Sequence, residues 1–143
     1  MALARKESVL SVRLGASTNE RLETRGRASG GKSALGLRYI EEGLRTDEHP
    51  GIVFRPGPAG RRPGLAAGAD VWEIIQALKN VEERGEAAIA ATAESMGLEL
   101  FQVEVAVGYY ADYREEVDEW IDRVQREAAE AESAWRRRLD ALE

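Results

Sequence analysis

The chain of 143 residues contains no cysteine and only one histidine, His49. The absence of cysteine excludes disulfide bonds, zinc sites built on thiolates and a cysteine nucleophile. A histidine-based metal site or a Ser-His-Asp triad would have to rest on His49, which we interpret as part of a linker or as a cap on a following hairpin. We therefore expect no enzyme, no metal site and no cofactor.

Long apolar runs are also missing. No stretch approaches the roughly 18–20 residues that a membrane span needs. Residues 1–6 carry charge but are not followed by the apolar stretch of a signal peptide. We expect a cytoplasmic protein without a membrane partner, and a hydrophobic content of 43% allows it to bury a core.

Charge is unevenly distributed along the chain. Residues 1–45 contain nine Lys or Arg and five Asp or Glu, a balance of +4, whereas residues 46–143 contain eleven and twenty-one, a balance of −10. A basic head on an acidic body indicates that the head binds a polyanion and that the body binds a different partner. A chance distribution is the alternative.

The first structural signal is a period-two alternation over residues 9–14, typical of a short half-buried strand. No second strand is nearby in sequence, and a lone strand leaves its backbone groups unpaired. A two-stranded ribbon formed with another copy of the chain would pair them. One face of the strand carries Leu10, Val12 and Leu14, and the other carries Val9, Ser11 and Arg13.

Two short helices are expected after this strand. Ser17 or Thr18 is placed to cap the first helix, with Glu20 completing a capping box, and the helix should end near Gly26. Residues 28–31 read as a turn. Ser33 is then expected to cap a second helix, which runs to about Leu44, and residues 46–51 are expected to form a linker.

The order strand, helix, turn, helix resembles the ribbon-helix-helix repressors of the MetJ, Arc and CopG type. The resemblance is carried by residues 10–14, by residues 31–35 and by residues 39–44. It implies a dimer whose ribbon enters the major groove of operator DNA, with phosphate bound at the start of the second helix. Arg13 would be the main base reader, since a guanidinium can form two hydrogen bonds to guanine. The implied DNA-binding residues are Val9, Ser11, Arg13, Lys32 and Ser33.

Residues 26–33 also match the pattern of a nucleotide-binding phosphate loop, G-x-x-x-x-G-K-S. Such a loop must follow a buried strand and open a helix within an α/β sheet. Here the preceding residues 19–25 read as a polar helix and no parallel-sheet core is visible. We interpret the match as accidental, and an ATPase or GTPase that uses Lys32 is the weakest alternative.

The middle of the chain is predicted to contain a β-hairpin and helices. Residues 52–55 and 61–66 are candidate strands on either side of a turn rich in proline and glycine. Asp70 is placed to cap a helix over residues 71–80. A further helix is expected over residues 81–96, and Gly97 should stop it.

Residues 98–112 fit two structures on periodicity alone. The alternation of apolar residues at 101, 103, 105 and 107 favours a strand, whereas those at 100, 103, 107 and 110 share one face of a helix. We expect Trp72, Tyr109 and Tyr110 to lie in the core.

The second half also resembles the domain of unknown function 433 family over about residues 47–122. The resemblance is carried by the motifs at 49–52, 60–62, 70–74, 103–106 and 109–113. It implies a small fold similar to a helix-turn-helix, with a helix over residues 98–110. Members of this family frequently act as the antitoxin of a pair whose toxin is PIN-like.

A long helix is predicted from Tyr113 onward, with an apolar stripe that continues for about eight turns at 3.6 residues per turn. This stripe is a candidate for wrapping a partner or for forming a coiled coil between copies. The acidic residues 115–122 fit either a plug for a basic active site or a solvated helix face. Predicted toxin-binding residues are Val117, Trp120, Ile121, Val124, Trp135 and Leu139.

The sequence thus predicts a mainly α fold with short β segments. Its predicted parts are a ribbon-helix-helix module over residues 1–46, a small hairpin and helical domain over 47–112, and a long helix over 113–143. The predicted function is an antitoxin that represses its own operon as a dimer or larger assembly and neutralises a PIN-like ribonuclease. The alternative is a stand-alone regulator whose last helix mediates oligomerisation.

Overall fold

The computed structural model describes residues 7–142 and is mainly helical, with one two-stranded antiparallel sheet. The predicted class, mainly α with short β, is therefore confirmed. The chain divides after Gly43 into two compact units, which are described separately. The expectation that residues 1–6 are not a signal peptide concerns a segment outside the described residues.

The first helix, α1, spans Ala16–Gly26 and begins directly after Gly15, whose backbone is extended. Its end at Gly26 agrees with the prediction. The predicted cap at Ser17 or Thr18 is wrong, because both residues lie inside the helix and no side chain caps it. Ala16, a strong helix former, starts the helix earlier than the capping pattern indicated.

The second helix, α2, spans Lys32–Glu48. Ser33 is therefore its second residue and not its cap, which corrects that part of the prediction. The helix also continues four residues beyond the predicted end at Leu44, because no residue before Pro50 breaks it. The predicted linker over 46–51 is reduced to a turn at His49–Gly51, where Gly51 has a φ of 97°.

The second unit contains the predicted hairpin. Strands β1, Ile52–Arg55, and β2, Arg62–Leu65, pair antiparallel, with Ile52 opposite Leu65. Helix α3, Val71–Asn80, follows with the boundaries that the sequence indicated.

Three more helices complete this unit: α4 spans Glu86–Met96, α5 spans Leu100–Asp112 and α6 spans Arg114–Asp140. The prediction that α4 begins at 81 is wrong by five residues, because the chain turns at Gly85 with a φ of 63°. Gly97 ends α4 in the left-handed conformation, as predicted, and donates to the Glu94 and Ala93 carbonyls.

The periodicity of residues 98–112 fitted both a strand and a helix, and the structure has helix α5 in this region. Its buried residues are Val103, Ala106 and Tyr109, three apart, as on one face of a helix. A strand would have placed Phe101 beside Val103 on the buried face, but Phe101 is 63% exposed. The helix implied by the family resemblance is therefore confirmed.

The core of the second unit lies where α3 and α5 pack against each other, against the hairpin and against α4 and α6. Tyr109 is fully buried, and Trp72 and Tyr110 are partly buried against the core, as expected. Only two residues of α6 are buried, both in its first two turns. The core consists of Ile52, Leu65, Val71, Ile74, Ile75, Ala93, Val103, Ala106, Tyr109, Val117 and Ile121.

Candidate nucleic-acid and partner-binding surfaces

The segment before α1 carries three of the predicted DNA-binding residues. Residues 7–15 form neither a helix nor a paired strand with any other described residue. Val9 is 94% exposed, and Ser11 and Arg13 are exposed as well. Leu10 and Val12, on the other face of the alternation, are 68% and 66% exposed. Both faces of this segment are therefore uncovered in the single chain.

An open apolar groove lies in the first unit between this segment and the two helices. Leu37 and Ile40, on α2, remain 56% and 44% exposed. Leu35 is the single apolar side chain that is buried among the described residues of this unit. The groove is lined mainly by Leu10, Val12, Leu14, Leu22, Leu37 and Ile40.

The start of α2 carries the other two predicted DNA-binding residues, Lys32 and Ser33. The Lys32 ammonium donates to Asn19 Oδ1 and lies 3.9 Å from Glu23 Oε1, both on α1. Both Lys32 and Ser33 are exposed. Because the first N–H groups of a helix have no intrahelical acceptor, this corner presents amide donors beside a cation.

The turn between α1 and α2 is tight. The Gly31 amide donates to the Gly26 carbonyl at 2.7 Å, and Gly30 and Gly31 have φ values of 82° and 105°. A Cβ on Gly26 would approach the Lys32 nitrogen to 2.8 Å, so only glycine fits there. The turn follows a helix and not a strand, which agrees with our interpretation that the phosphate-loop match is accidental.

In the second unit, the buried Asp70 joins the hairpin to α3. It is 7% exposed and caps α3 as predicted, within a capping box that Glu73 completes. Its carboxylate also accepts hydrogen bonds from Arg55 at 3.0 Å, from Arg62 and from the Trp72 indole at 3.3 Å. The sequence indicated the cap but not the two arginines, because their pairing depends on the hairpin register.

A second polar cluster joins the end of α2 to α5 and α6. Arg45 donates to the Tyr109 hydroxyl and to Glu116, each at 2.8 Å, and its guanidinium lies 4.1 Å from the Tyr113 ring centroid. Burial lowers the pKa of Arg45, but hydrogen bonds to Glu116 and Tyr109 outweigh burial and raise the pKa overall. Burial and the Glu116 charge raise the pKa of Tyr109 to about 12, although Arg45 opposes the shift.

A third cluster ties α3, α5 and α6 together at the surface. Lys79 and the Tyr110 hydroxyl both donate to Asp118, the latter at 2.8 Å. The hydrogen bond from Lys79 holds the pKa of Asp118 below its usual value, and the same bond raises the pKa of Lys79. All three polar clusters of this unit are satisfied internally, so we interpret them as structural ties.

His49 lies in the turn after α2, edge-on to Tyr109 and Tyr113. Its Nε2 is 2.9 Å from Asp112 Oδ2, at ion-pair distance but outside hydrogen-bond angles. No group of three or more potential metal ligands exists among residues 7–142. None of the helices in that range is long and apolar enough to cross a membrane.

Helix α6 presents its six predicted partner-binding residues as a buried pair, a half-buried pair and an exposed pair. Val117 and Ile121 lie in the chain's own core, 3% and 4% exposed, so their side chains are not available to a partner. Trp120 and Val124 are half-buried. The Arg123 guanidinium covers the Trp120 ring at 4.2 Å.

The second half of α6 has no cover from the rest of the described chain. From residue 125 to residue 142 every described residue is exposed except Ala134, which is half-buried. Trp135 is 57% exposed and Leu139 is 46% exposed. An uncovered apolar stripe of this length on a helix is typical of a protein-binding surface.

Comparison of the chain with protein-family models, with curated proteins and with solved structures found no match in any of the three. Function therefore has to be inferred from the residues themselves.

Proposed function

We propose that this protein is the antitoxin of a toxin–antitoxin pair, which binds operator DNA through its first unit and a PIN-like ribonuclease through its second. The proposed DNA binding rests mainly on the exposure of the segment over residues 9–14. It has uncovered apolar side chains on one face and Ser11 and Arg13 on the other. Pairing with the same segment of a second copy would satisfy its backbone and cover the adjacent groove.

The charge of the first unit supports the same proposal. Its balance of +3 over residues 1–43 suits a DNA backbone, and exposed Arg13 suits a base edge. Lys32, at the start of α2, combines a cation with helix N-terminal amides, which is an arrangement that holds phosphate.

Two substitutions test the DNA half in a gel shift on the DNA upstream of the gene. Arg13→Ala should cost about 1–3 kcal/mol on the cognate site and relax base preference there. Lys32→Ala should weaken binding to all sequences alike and reduce the salt slope by about 1. Arg126→Ala, an exposed arginine of the second unit, is the control. The DNA assignment is refuted if neither Arg13→Ala nor Lys32→Ala changes the shift.

The toxin half is supported by the charge and exposure of the second unit. Its balance of −9 over residues 44–143 complements the basic substrate channel expected of a ribonuclease. The exposed side chains of α6 are the apolar anchors for such a contact. With the two buried residues left out, the proposed toxin-binding set is Trp120, Val124, Trp135 and Leu139.

Growth of cells that express the neighbouring reading frame tests the toxin half. Arrest by the neighbour alone, relieved by this protein, is the expected result. Trp135→Ala with Leu139→Ala should abolish relief, whereas Phe101→Ala, which removes an equally exposed apolar side chain from α5, should retain it. Absence of arrest would contradict the antitoxin proposal, and relief by the Trp135 and Leu139 variant would contradict the proposed surface.

The uncovered half of α6 also favours the second candidate, a stand-alone regulator that oligomerises through this helix. The heptad-like spacing of its apolar residues fits a helix of another copy as well as a toxin groove. A chain that binds upstream DNA but whose neighbour causes no arrest would support this candidate.

A further inference from the structure

The second half of α6 is a helix without tertiary support among the described residues of the single chain. Its residues from 125 onward are exposed, and the two buried residues of α6 lie near its start. Because helical stability in proteins comes mostly from packing of an apolar face, this half needs a partner surface to be stable.

The apolar residues of this half follow a heptad pattern. Ile121, Ala128, Trp135 and Leu142 are seven apart. The second core position between them holds Val124, Ala131 and Arg138, so it is apolar except at Arg138, and Leu139 lies beside this stripe. The stripe is uneven in size, with alanines at its centre and a tryptophan one turn beyond Ala131. A partner helix must therefore offer a small residue opposite Trp135 and a large one opposite Ala131.

The charges of the same half change sign along the helix. Arg126 is followed by the acids Glu127, Glu130 and Glu132, and a basic run over residues 136–138 is followed by Asp140. The helix dipole favours arginines in the last turn, and Glu132 forms an ion pair with Arg136 of the same helix, but neither effect accounts for Glu127 and Glu130. A second copy that runs in the opposite direction supplies the complementary order of charges.

We propose that the distal half of α6 pairs antiparallel with the same half of a second copy of this chain. The register that places Trp135 of each copy on Ala131 of the other has its two-fold axis at Ser133. The same register sets Leu142 opposite Val124, so a large residue meets a smaller one at each of these layers. Arg138 lies over Ala128, where its aliphatic stem covers the alanine.

This register also matches the charges on both flanks of the helix pair. On one flank Arg137 lies near Glu127 of the second copy. On the other, Arg136 and Glu132 of both copies form a cluster of two acids and two bases around the axis. A parallel pair would instead set each acid beside the same acid and each arginine beside the same arginine, which is unfavourable.

This inference goes beyond the proposed antitoxin function and does not depend on it. Trp135 belongs both to this contact and to the proposed toxin-binding set. Where both hold, pairing of the two copies and toxin binding exclude each other, so toxin would have to displace the second copy. Loss of toxin relief without loss of pairing, or the reverse, separates the two proposals.

Spin labels in the full-length chain test the orientation, since the chain has no native cysteine. Arg126 and Asp140 lie on the outer face, seven residues on either side of Ser133. A mixture of Arg126→Cys and Asp140→Cys chains should give a distance shorter than the one that either chain gives alone. Labels at the same site of two copies would be about 21 Å apart along the axis, from 14 residues at about 1.5 Å each. A short distance between identical sites, or no defined distance in the mixture, would overturn the proposal.

Charge reversal tests the contact itself in the same labelled mixture. Arg136→Glu with Arg137→Glu should reduce the paired population by about tenfold or more, because like charges then face each other on both flanks. Glu127→Arg with Glu132→Arg should do the same. Mixing the two reversed chains should restore pairing, which a loss of helix stability would not do. Asp122→Arg, on α6 outside the overlap, is the control and should pair like the unaltered chain. Reversed chains that still pair alone, or a mixture that does not regain pairing, would refute the contact.

Discussion

The two units of this chain differ in how far they complete their own cores. The second unit encloses eleven buried core residues between a hairpin and four helices. The first unit buries one apolar side chain, Leu35, among its described residues and leaves Leu10, Val12, Leu37 and Ile40 exposed. Since exposed apolar patches mark interaction surfaces, the difference supports the proposal that a second copy covers the groove of the first unit.

A similar contrast exists within the second unit, between the two ends of α6. Its first two turns are fixed by Val117 and Ile121 in the core and by Asp118 at the surface. Its last four turns carry apolar residues that no described residue covers. The chain therefore offers two uncovered surfaces, one basic and one of mixed charge, in addition to a closed core.

The largest expected effect comes from opening the closed core. Ile74→Ala should reduce the free energy of unfolding by about 2–5 kcal/mol, because Ile74 is 0% exposed and its removal leaves a cavity. Ile40→Ala, the matched change at a 44% exposed position of the first unit, should cost within about 0.5 kcal/mol when the chain is dilute. Urea unfolding measures both. Equal losses of unfolding free energy for the two variants would contradict the conclusion that the second unit has the more complete core.

Substitution of Asp70, which joins the hairpin to α3, should give the next largest loss of stability. Asp70→Ala removes the cap of α3 and leaves Arg55 and Arg62 without their shared acceptor. We expect a loss of about 1–3 kcal/mol in urea unfolding. Asp122→Ala, at an exposed position of α6, is the control. A loss for Asp70→Ala no larger than that for the control would show that the hairpin does not depend on this junction.

The closed core is also the part that the sequence predicted best. The hairpin, the boundaries of α3 and the stop at Gly97 follow from local signals, namely turn residues, an aspartate at the N-cap and a glycine. Residues 98–112 were ambiguous in periodicity, because Val103 fits both patterns. Tertiary burial of Ala106 and Tyr109 selects the helix.

Capping signals predicted the starts of α1 and α2 less well. Ser17 and Ser33 have the right chemistry for caps, yet the glycine at 15 and the tight turn at 31 precede the helices instead. The burial of Val117 and Ile121 could not be read from the α6 stripe, because a helical stripe has the same spacing whether it faces its own core or a partner. The arginine partners of Asp70 and Glu116 depend on contacts distant in sequence and left no local signal.

Dilution tests whether a second copy covers the groove of the first unit. If its groove is covered in a dimer, unfolding of this unit is coupled to dissociation, and each tenfold dilution should lower its stability by about 1.4 kcal/mol. The Trp residues lie at positions 72, 120 and 135, so a probe in the first unit, such as a label on Thr24→Cys, is needed. Leu37→Glu should remove the concentration dependence, and Phe101→Glu in the second unit should retain it. A melting profile of the unaltered chain that does not change with concentration would contradict a dimeric first unit.

The smallest expected effect on stability comes from Asp118, in the first turns of α6. The pKa of Asp118 is lowered in the folded chain, chiefly by the hydrogen bond from Lys79, so the ionised carboxylate stabilises the fold above its ordinary pKa of 3.8. That contribution should disappear as pH falls through the lower folded pKa. Asp118→Asn should therefore be less stable than the unaltered chain at pH 7, by less than about 1 kcal/mol because solvent screens a pair this exposed. The two should converge in strong acid. Lys79→Met should remove most of the difference at pH 7, since the two side chains act as a pair. A difference between the unaltered chain and the Asp118→Asn variant that persists in acid would show that the ionised carboxylate of Asp118 is not the source of the effect.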